Sequence, residues 1–332
     1  MTATRPGGVW APAITPFKSD LSPDPERYVR HARWLLDNGC TGLAAFGTNS
    51  EANSLNAEER MSLLEYLVAN GIPPTALMPG TGCCALTDTV RLTAHAVGLG
   101  CAGVLMLPPF YYKGVSDEGL FRSFSEVIER VGDSRLRMYL YHIPPVAQIP
   151  ISIPLIERLL KRYPITVAGI KDSSGDWNNT KAVLDAFAGA DFDVFAGSEA
   201  FLLANMRNGG VGCISASANV NAAAIHQVYE NWRAPNADVL QQGISATRAI
   251  VQKYPVIPAL KAIVARGFDD PGWVTVRPPL VELTAAQRDS LAADLDAHGF
   301  AVAKLSLPHG RQPEAAKGPT KLSASASGKI RP

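Results

Sequence analysis

A short apolar run, a glycine turn and a helical pattern follow one another in the stretch Val167-Ala168-Gly169-Ile170-Lys171-Asp172-Ser173-Ser174-Gly175-Asp176 and the residues 178–187 after it. The apolar run is typical of a buried strand, and one lysine ends it. An amine in that position is poorly hydrated, and poor hydration favours its neutral, nucleophilic form. Lys171 is therefore either a lysine that forms a Schiff base or a strand-end lysine that reaches solvent or pairs with Asp172.

The same strand–turn–helix unit recurs along the chain. Eight short apolar runs alternate with amphipathic stretches, and the runs lie at 9–17, 42–47, 75–80, 103–108, 138–143, 167–171, 193–197 and 212–216. Such alternation implies a parallel sheet, and eight units within about 250 residues suit a closed (β/α)8 TIM barrel. A doubly wound sheet is the alternative, but no Gly-x-Gly-x-x-Gly follows the first strand.

After Trp232 helical patterns continue without strands, at 237–254, 257–266 and 285–298. They predict additional C-terminal helices that pack on the barrel. We expect the barrel to cover 1–233 and the helical segment 234–303. A flexible tail is expected over 304–332, because that stretch has almost no large apolar residue to offset its ordering entropy.

Composition and charge exclude several classes of protein. The 332 residues are 47% hydrophobic and 18% charged, which is typical of a globular protein with a sizeable core. A net charge of +1 gives no field that favours nucleic acid or an anionic membrane. Residues 1–17 lack a signal-peptide pattern and no apolar run reaches the roughly 18 residues of a membrane span, so we expect a cytoplasmic protein. The cysteines show no Cys-x-x-Cys spacing, so no metal site is expected.

In a parallel barrel the carboxyl ends of all strands meet at one face, and function is found there. Lys171 ends the sixth strand, and Tyr141 lies near the end of the fifth. A tyrosine beside an imine-forming lysine can move protons during imine formation and C–C cleavage. The turn after the second strand carries Thr48, Asn49 and Ser50, whose hydroxyl and backbone N–H groups can hold a carboxylate. These residues together predict a site for a 2-oxo acid.

Each of these residues also has a plain structural interpretation. Tyr141 alternates with Tyr139 along its strand, so either ring can be simple packing. The aromatic loop that carries Tyr111 can form a subunit contact. Glu51 can favour the positive end of the following helix, and Glu199 can cap a helix or contact a substrate. The shared end of the barrel favours the functional interpretation.

Four motifs resemble the family of dihydrodipicolinate synthase and N-acetylneuraminate lyase, which are class I (Schiff-base) pyruvate aldolases. They are Gly47-Thr48-Asn49-Ser50-Glu51, Tyr141-His142-Ile143-Pro144, Gly169-Ile170-Lys171-Asp172 and Gly210-Val211-Gly212-Cys213-Ile214-Ser215. The resemblance covers roughly 8–303. It implies a barrel lyase that acts on a small 2-oxo acid and assembles as a dimer or tetramer of identical chains. No cofactor is expected, because the lysine imine itself supplies the electron sink.

Carried onto this sequence, the resemblance implies four catalytic residues. Lys171 would form the imine and Tyr141 would shuttle protons. Thr48 would be the relay hydroxyl beside Tyr141. Tyr111 would match the tyrosine that family members lend across a dimer contact, although the loop after it is about one residue longer here.

The expected substrate contacts lie at strand ends and are Asn49, Ser50, Ser173, Gly197, Ser198 and Ile214. Asn49 and Ser50 would join Thr48 in holding the pyruvate carboxylate. Ser173 would be the hydroxyl nearest the imine, and Ile214 would lie near the pyruvyl carbonyl.

Two features depart from the pattern of dihydrodipicolinate synthases. Asn49 and Ser50 stand where those enzymes have threonine and glycine. Val146 stands where they have an arginine that holds a substrate carboxylate, and valine cannot pair with one. The Gly47-Thr48-Asn49 motif, the turn after Lys171, and the stretches at 197–202 and 277–280 are instead similar to 4-hydroxy-2-oxoglutarate aldolase. The expected reaction is reversible cleavage of a 4-hydroxy-2-oxo acid to pyruvate and an aldehyde.

Several alternatives stay open. Within the family they are dihydrodipicolinate (4-hydroxy-tetrahydrodipicolinate) synthase and a sugar-acid dehydratase or deaminase. Outside it, a keto-acid-binding sensor is possible, although a pure binder does not need Lys171, Tyr141 and Thr48. A sugar-phosphate enzyme would need a glycine-rich anion site after strands seven and eight, where Glu199 places a carboxylate instead.

Overall fold

The computed structural model describes residues 6–302 and contains one parallel sheet in the order β2–β1–β7–β6–β5–β4–β3. Its strands are β1 (Gly8–Ala11), β2 (Gly42–Leu43), β3 (Val104–Met106), β4 (Met138–His142), β5 (Val167–Asp172), β6 (Asp193–Ala196) and β7 (Gly212–Ile214). Segment 77–80 lies between the two edges of this sheet, where Leu77 bridges Leu43 and Gly80 bridges Leu105. The sheet therefore closes, which confirms the predicted (β/α)8 barrel.

The third predicted strand, 75–80, is the least regular of the eight, because a 3₁₀ helix and a proline interrupt it. Its first residues belong to the 3₁₀ helix Pro74–Ala76, and Pro79 has no N–H to donate to a ladder. Backbone hydrogen bonds on both sides of this segment still close the barrel. Met78 N donates to the Leu43 carbonyl at 2.9 Å, and Leu105 N donates to the Pro79 carbonyl at 2.9 Å.

Helices cover the outside of the barrel, and the strand-to-strand connections carry α1 (Pro25–Asp37), α2 (Ala57–Ala69), α3 (Leu86–Gly98), α4 (Asp117–Val131), α5 (Pro144–Ala147), α6 (Ile153–Arg162), α7 (Trp177–Ala186) and α8 (Leu202–Arg207). Their ends follow local sequence signals. Asn56 and Glu59 form a capping box at α2, with both side-chain-to-backbone hydrogen bonds present. α1 and α2 are each followed by an Asn-Gly pair, whose glycines, Gly39 and Gly71, adopt φ values of +100° and +86°. Such left-handed residues are typical of helix ends and favour glycine.

The last strand is followed by α9 (Ala218–Glu230), and then by the predicted C-terminal helices α10 (Ala237–Val251), α11 (Val256–Phe268) and α12 (Ala285–Ala297). Their apolar side chains share a buried cluster with Ile14, from the loop after β1, and with Val220 of α9. The predicted tail at 304–332 lies outside the described residues. Across 6–302, no helix has the length and apolar character needed to span a bilayer.

Large side chains fill the inside of the barrel, among them Trp10, Met78, Tyr139, Phe195 and Ile214. The Tyr139 hydroxyl donates to Oδ2 of Asp193 at 2.9 Å within this core. Tyr139 is therefore the packing member of the Tyr139/Tyr141 pair.

Asn219, at the start of α9, ties the loop after β1 to the rest of the barrel. Its Oδ1 accepts from Ile14 N at 3.0 Å, and its Nδ2 donates to the Pro12 carbonyl at 3.1 Å. The same Oδ1 lies 3.2 Å from Nε2 of His31, a completely buried residue of α1 whose ring packs on Trp273 at 5.0 Å between centroids. Burial lowers the pKa of His31 to about 4, and the hydrogen bond to Asn219 opposes this only in part.

Acidification is expected to destabilise the fold through His31. The unfolded chain takes up a proton on His31 near pH 6.5, whereas the folded chain does so only near pH 4. The free energy of unfolding therefore falls as the pH falls through this window, by about 3 kcal/mol once the uptake is complete. His31→Gln removes the uptake, so the stability lost between pH 7 and about pH 4.5 is expected to shrink by ~2 kcal/mol. Urea denaturation at the two pH values measures it.

His298→Gln is the matched control, because His298 lies at an exposed position after α12. We expect this variant to lose as much stability on acidification as the wild type. An unchanged acid sensitivity in His31→Gln would show that His31 is not the group that takes up the proton.

Candidate active site

The register between β4 and β5 sets Tyr141 opposite Lys171. Both residues are only 3% exposed. The Lys171 Nζ atom lies 4.2 Å from the centroid of the Tyr141 ring, within the range of a cation–π contact. Backbone pairing of two adjacent strands thus brings an amine and a phenol together at the carboxyl end of the barrel.

A hydroxyl from β2's loop completes this group. The Tyr141 hydroxyl lies 3.3 Å from Oγ1 of Thr48. Burial raises the pKa of Tyr141, but the charge on Lys171 and hydrogen bonds with Thr48, Lys171 and Ser173 lower it by more, so that it lies below its ordinary value. A phenol of this kind can accept and return protons beside an amine.

Asp172 does not pair with Lys171. Its Oδ1 accepts from Ser174 N at 2.8 Å, and its Oδ2 accepts from Oγ1 of Thr180 at 2.7 Å and from Nδ2 of Asn179 at 3.0 Å. The carboxylate thereby fixes the turn after β5 and the start of α7. The interpretation of Lys171 as a strand-end lysine that reaches solvent or pairs with Asp172 is wrong, since Lys171 is buried and Asp172 is directed elsewhere.

Gly197 brings the end of β6 close to the turn after β5. A Cβ at Gly197 would lie 2.1 Å from Oγ of Ser173, so a larger residue would displace this hydroxyl from the vicinity of Tyr141. Ser198 is instead the N-cap of the 3₁₀ helix Glu199–Phe201. Its Oγ accepts a hydrogen bond from Ala200 N at 3.2 Å. The structure therefore places Gly197 and Ser173 together, and engages the Ser198 hydroxyl locally.

The turn that follows β2 is the 3₁₀ helix Thr48–Ser50. Thr48 and Asn49 are half-buried, and Ser50 is completely buried. The Ser50 carbonyl accepts from Oγ1 of Thr15 at 2.7 Å, whereas its Oγ has no hydrogen-bond partner within 6–302. A buried hydroxyl without a partner is a position where a bound ligand can complete the hydrogen bonding.

Glu51 follows this turn directly and has a left-handed backbone conformation, with φ at +55°. Its side chain forms a buried ion pair with Lys261 of α11 and accepts from Arg277 N at 2.9 Å. Lys261 Nζ also donates to the Thr275 carbonyl at 2.7 Å and lies 4.5 Å from the centroid of the Phe17 ring. Burial lowers the pKa of Lys261 to about 8, against the opposing effect of Glu51. Glu51 thus serves a buried pair with α11, and its interpretation as a charge at the positive end of α2 is incomplete.

Glu199 is completely buried behind the strand ends. Its Oε2 hydrogen bonds with Oγ of Ser215 and pairs with Nη1 of Arg248, in α10, at 2.7 Å. Of the two interpretations left open by the sequence, this arrangement favours neither: the carboxylate joins the barrel to α10.

Ile214 and Tyr111, two further candidates, differ in burial. Ile214 is completely buried in the same apolar cluster as Tyr141. Tyr111 is 73% exposed in the loop after β3 and packs edge-on against Tyr112, with 5.4 Å between ring centroids. Its own chain does not bring Tyr111 to Lys171. Val146, where the synthase pattern has arginine, lies on α5 and is 60% exposed.

Sequence reasoning missed the charged partners supplied by the C-terminal helices. A signal for Lys261 was present, because this single lysine lies among buried apolar residues of α11 and a fully buried lysine requires a partner. Arg248 gives no such signal, since polar and apolar residues mix along α10.

Known proteins resemble this chain over most of its length. Residues 5–298 match the model of the dihydrodipicolinate synthetase family. An uncharacterized DapA-like lyase from Chloroflexus aurantiacus is 32% identical over 291 residues, which cover 87% of this chain and 96% of the relative. The 4-hydroxy-tetrahydrodipicolinate synthase of Bacillus subtilis is 30% identical over 295 residues, or 87% of this chain and 98% of that protein.

Solved structures share the fold over nearly their whole length. Dihydrodipicolinate synthase from Agrobacterium tumefaciens has a TM-score of 0.82 and 33% identity, covering 88% of this chain and 99% of its own. A prophage protein of the dihydrodipicolinic acid synthase family from E. coli K12, solved in complex with pyruvate, has a TM-score of 0.80 and 26% identity, covering 88% and 98%. The sequence, the barrel and these relatives agree that the chain belongs to the dihydrodipicolinate synthetase family and is a lyase.

Proposed function

We propose that this lyase cleaves a 4-hydroxy-2-oxo acid, of the kind of 4-hydroxy-2-oxoglutarate, to pyruvate and an aldehyde through an imine on Lys171. The observation that supports this most strongly is the buried group of amine, phenol and hydroxyl formed by Lys171, Tyr141 and Thr48. Amine chemistry on a ketone requires a neutral nucleophile and a nearby group that moves protons.

The first half of the reaction forms the imine. The neutral amine of Lys171 attacks C2 of the substrate, and Tyr141 gives a proton to the developing hydroxyl. Loss of water leaves a protonated C=N bond. Thr48 links Tyr141 to the substrate side through its 3.3 Å contact.

The second half breaks the carbon chain. Tyr141 takes the proton of the C4 hydroxyl, the electrons of the C3–C4 bond move into the protonated imine, and the aldehyde leaves. The remaining enamine of pyruvate is protonated at C3, and water releases pyruvate and free Lys171. The protonated imine accepts the electron pair, so the scheme needs no other electron sink.

The substrate carboxylate fits the turn formed by Thr48, Asn49 and Ser50. This turn offers half-buried side chains, backbone N–H groups and the unpartnered Ser50 hydroxyl. On the other side, Ile214 provides an apolar wall near the carbonyl carbon. Ser173, given room by Gly197, places a hydroxyl beside the imine. Ser198, whose side chain is held locally, would contact substrate only at the edge of the site.

Synthesis of 4-hydroxy-tetrahydrodipicolinate is the second candidate function, because relatives with 30% and 33% identity carry the name of that synthase. Val146 argues against it. Its exposed apolar side chain offers no charge for a substrate carboxylate at the position of the synthase arginine.

We also propose that the chain works as a homo-oligomer, a dimer or tetramer. Tyr111 and Tyr112 are each 73% exposed, and Val115 and Val146 add apolar surface at 37% and 60%. Exposed aromatic side chains are enriched in subunit interfaces. A second copy that covers these residues would account for a role of Tyr111 that its own chain does not supply.

Product analysis tests the reaction. Incubation of the protein with 4-hydroxy-2-oxoglutarate is expected to give pyruvate and glyoxylate in equal amounts, observed by NMR, and Lys171→Met is expected to give neither. A product that keeps the full carbon skeleton would indicate a dehydratase or deaminase. Condensation of pyruvate with aspartate semialdehyde, without cleavage of the hydroxy acid, would indicate the synthase.

Tyr141→Phe tests the proton shuttle. Removal of the hydroxyl is expected to lower kcat by about 10²–10⁴, because general acid–base catalysis of this kind contributes that factor. Tyr163→Phe is the control: it removes a surface hydroxyl that bonds Glu129 at 2.6 Å and should leave kcat unchanged. A kcat for Tyr141→Phe equal to that of the control would exclude Tyr141 from proton transfer.

A further inference from the structure

We infer that Lys261, in α11, is a positioning residue for the substrate carboxylate, because it holds and neutralises Glu51 beside the turn Thr48–Ser50. This inference rests on the proposed function, in which that turn binds the carboxylate of a 2-oxo acid. It makes the C-terminal helices part of the binding site, although they lie outside the repeated strand–helix units.

The first support is geometric. Glu51 and Lys261 side chains are both 0% exposed and in direct contact. Glu51 N donates to the Thr48 carbonyl at 3.2 Å, so the backbone conformation at Glu51 closes the turn. A left-handed conformation is unfavourable for a glutamate and persists only where its surroundings hold it. Lys261 and the backbone N–H of Arg277 are the groups that hold this side chain.

The second support is electrostatic. Glu51 places a negative charge one residue from the turn that would bind an anion, and two nearby carboxylates in a buried site repel each other. Lys261 is the cation that contacts Glu51 within 6–302. The Arg277 guanidinium is directed away, to Glu59 at 2.5 Å and 2.8 Å and to the Ser54 carbonyl. Without Lys261 the charge of Glu51 would be offset only at longer range, by the Arg277 guanidinium that Glu59 already engages, as it faces the incoming carboxylate.

Packing alone does not account for a lysine at this position. Lys261 lies between Leu260 and Ala262, both buried, in a helix whose buried face is otherwise apolar. An apolar side chain of similar volume would avoid the cost of burying two charges, and such replacements of buried pairs are often neutral or stabilising. An ion pair at this position is explained if the positive charge of Lys261 is needed to offset the charge of Glu51.

The test compares Lys261→Met with the double variant Glu51→Gln/Lys261→Met. Borohydride trapping across a range of pyruvate concentrations, read by intact mass, gives the half-saturating concentration and the maximal trapped fraction for each. Lys253→Met is the matched control, since Lys253 pairs with Asp294 at the surface with 58% of its side chain exposed. Thermal unfolding reports whether each variant is folded.

Lys261→Met is expected to raise the half-saturating pyruvate concentration by about tenfold or more, with the trapped fraction at saturation kept. The double variant is expected to return to within about threefold of wild type, because the charge of Glu51 is removed together with its contacting cation. Lys253→Met should not differ from wild type. This recovery distinguishes charge compensation from loss of packing. Both variants lose the packing of Lys261, so a packing defect would weaken pyruvate binding in the double variant as well.

Half-saturation of Lys261→Met at the wild-type concentration would overturn the inference, and so would a double variant as weak as Lys261→Met. If only Lys261→Met fails to fold, the double variant is judged by the same measure: its half-saturating pyruvate concentration must lie within about threefold of that of the wild type. Failure of both to fold would show a purely structural role and overturn it as well. Absence of any pyruvate adduct in the wild type would overturn the proposed function itself, and with it this inference.

Discussion

Pairing of β4 with β5 is the interaction on which the site depends. It places Tyr141 opposite Lys171, with the amine 4.2 Å from the ring centroid and both side chains buried. These strands belong to a barrel that closes through segment 77–80, which bridges Leu43 on one side and Leu105 on the other. The barrel interior below the site is filled by Trp10, Tyr139 and their neighbours. Among the residues at 6–302, this filling leaves the carboxyl ends of the strands as the side of the barrel from which the proposed substrate would approach the lysine.

Charged contacts tie this edge of the barrel to the helices that follow it. Glu51 joins the turn after β2 to Lys261 of α11, and Glu199 joins the end of β6 to Arg248 of α10. Each acidic residue directly follows a candidate substrate contact, Glu51 after Ser50 and Glu199 after Ser198. The C-terminal helices thus hold two loops of the candidate site through these ion pairs. The strand–helix units alone do not supply these contacts.

Much of the architecture follows from local patterns in the sequence. Apolar runs mark every strand position, Asn-Gly pairs mark helix ends, and the spacing of Tyr141 and Lys171 at strand ends indicates the face of the barrel where they meet. Local sequence patterns do not predict contacts between residues that are far apart in the chain. The Glu51–Lys261 pair joins positions that are far apart in the chain, and no local signal says which buried acid a buried lysine meets. The role proposed for Tyr111 requires a second copy, so that neither the sequence of one chain nor its structure is enough to assign it.

Trapping with pyruvate and sodium borohydride, followed by peptide mapping, tests the central claim most directly. The imine at the end of β5 should be reduced to a stable adduct on the peptide that carries Lys171, and the adduct should be absent from folded Lys171→Ala protein. An adduct on another lysine, or none in protein shown to be folded, would contradict the assignment of Lys171 as the imine-forming residue.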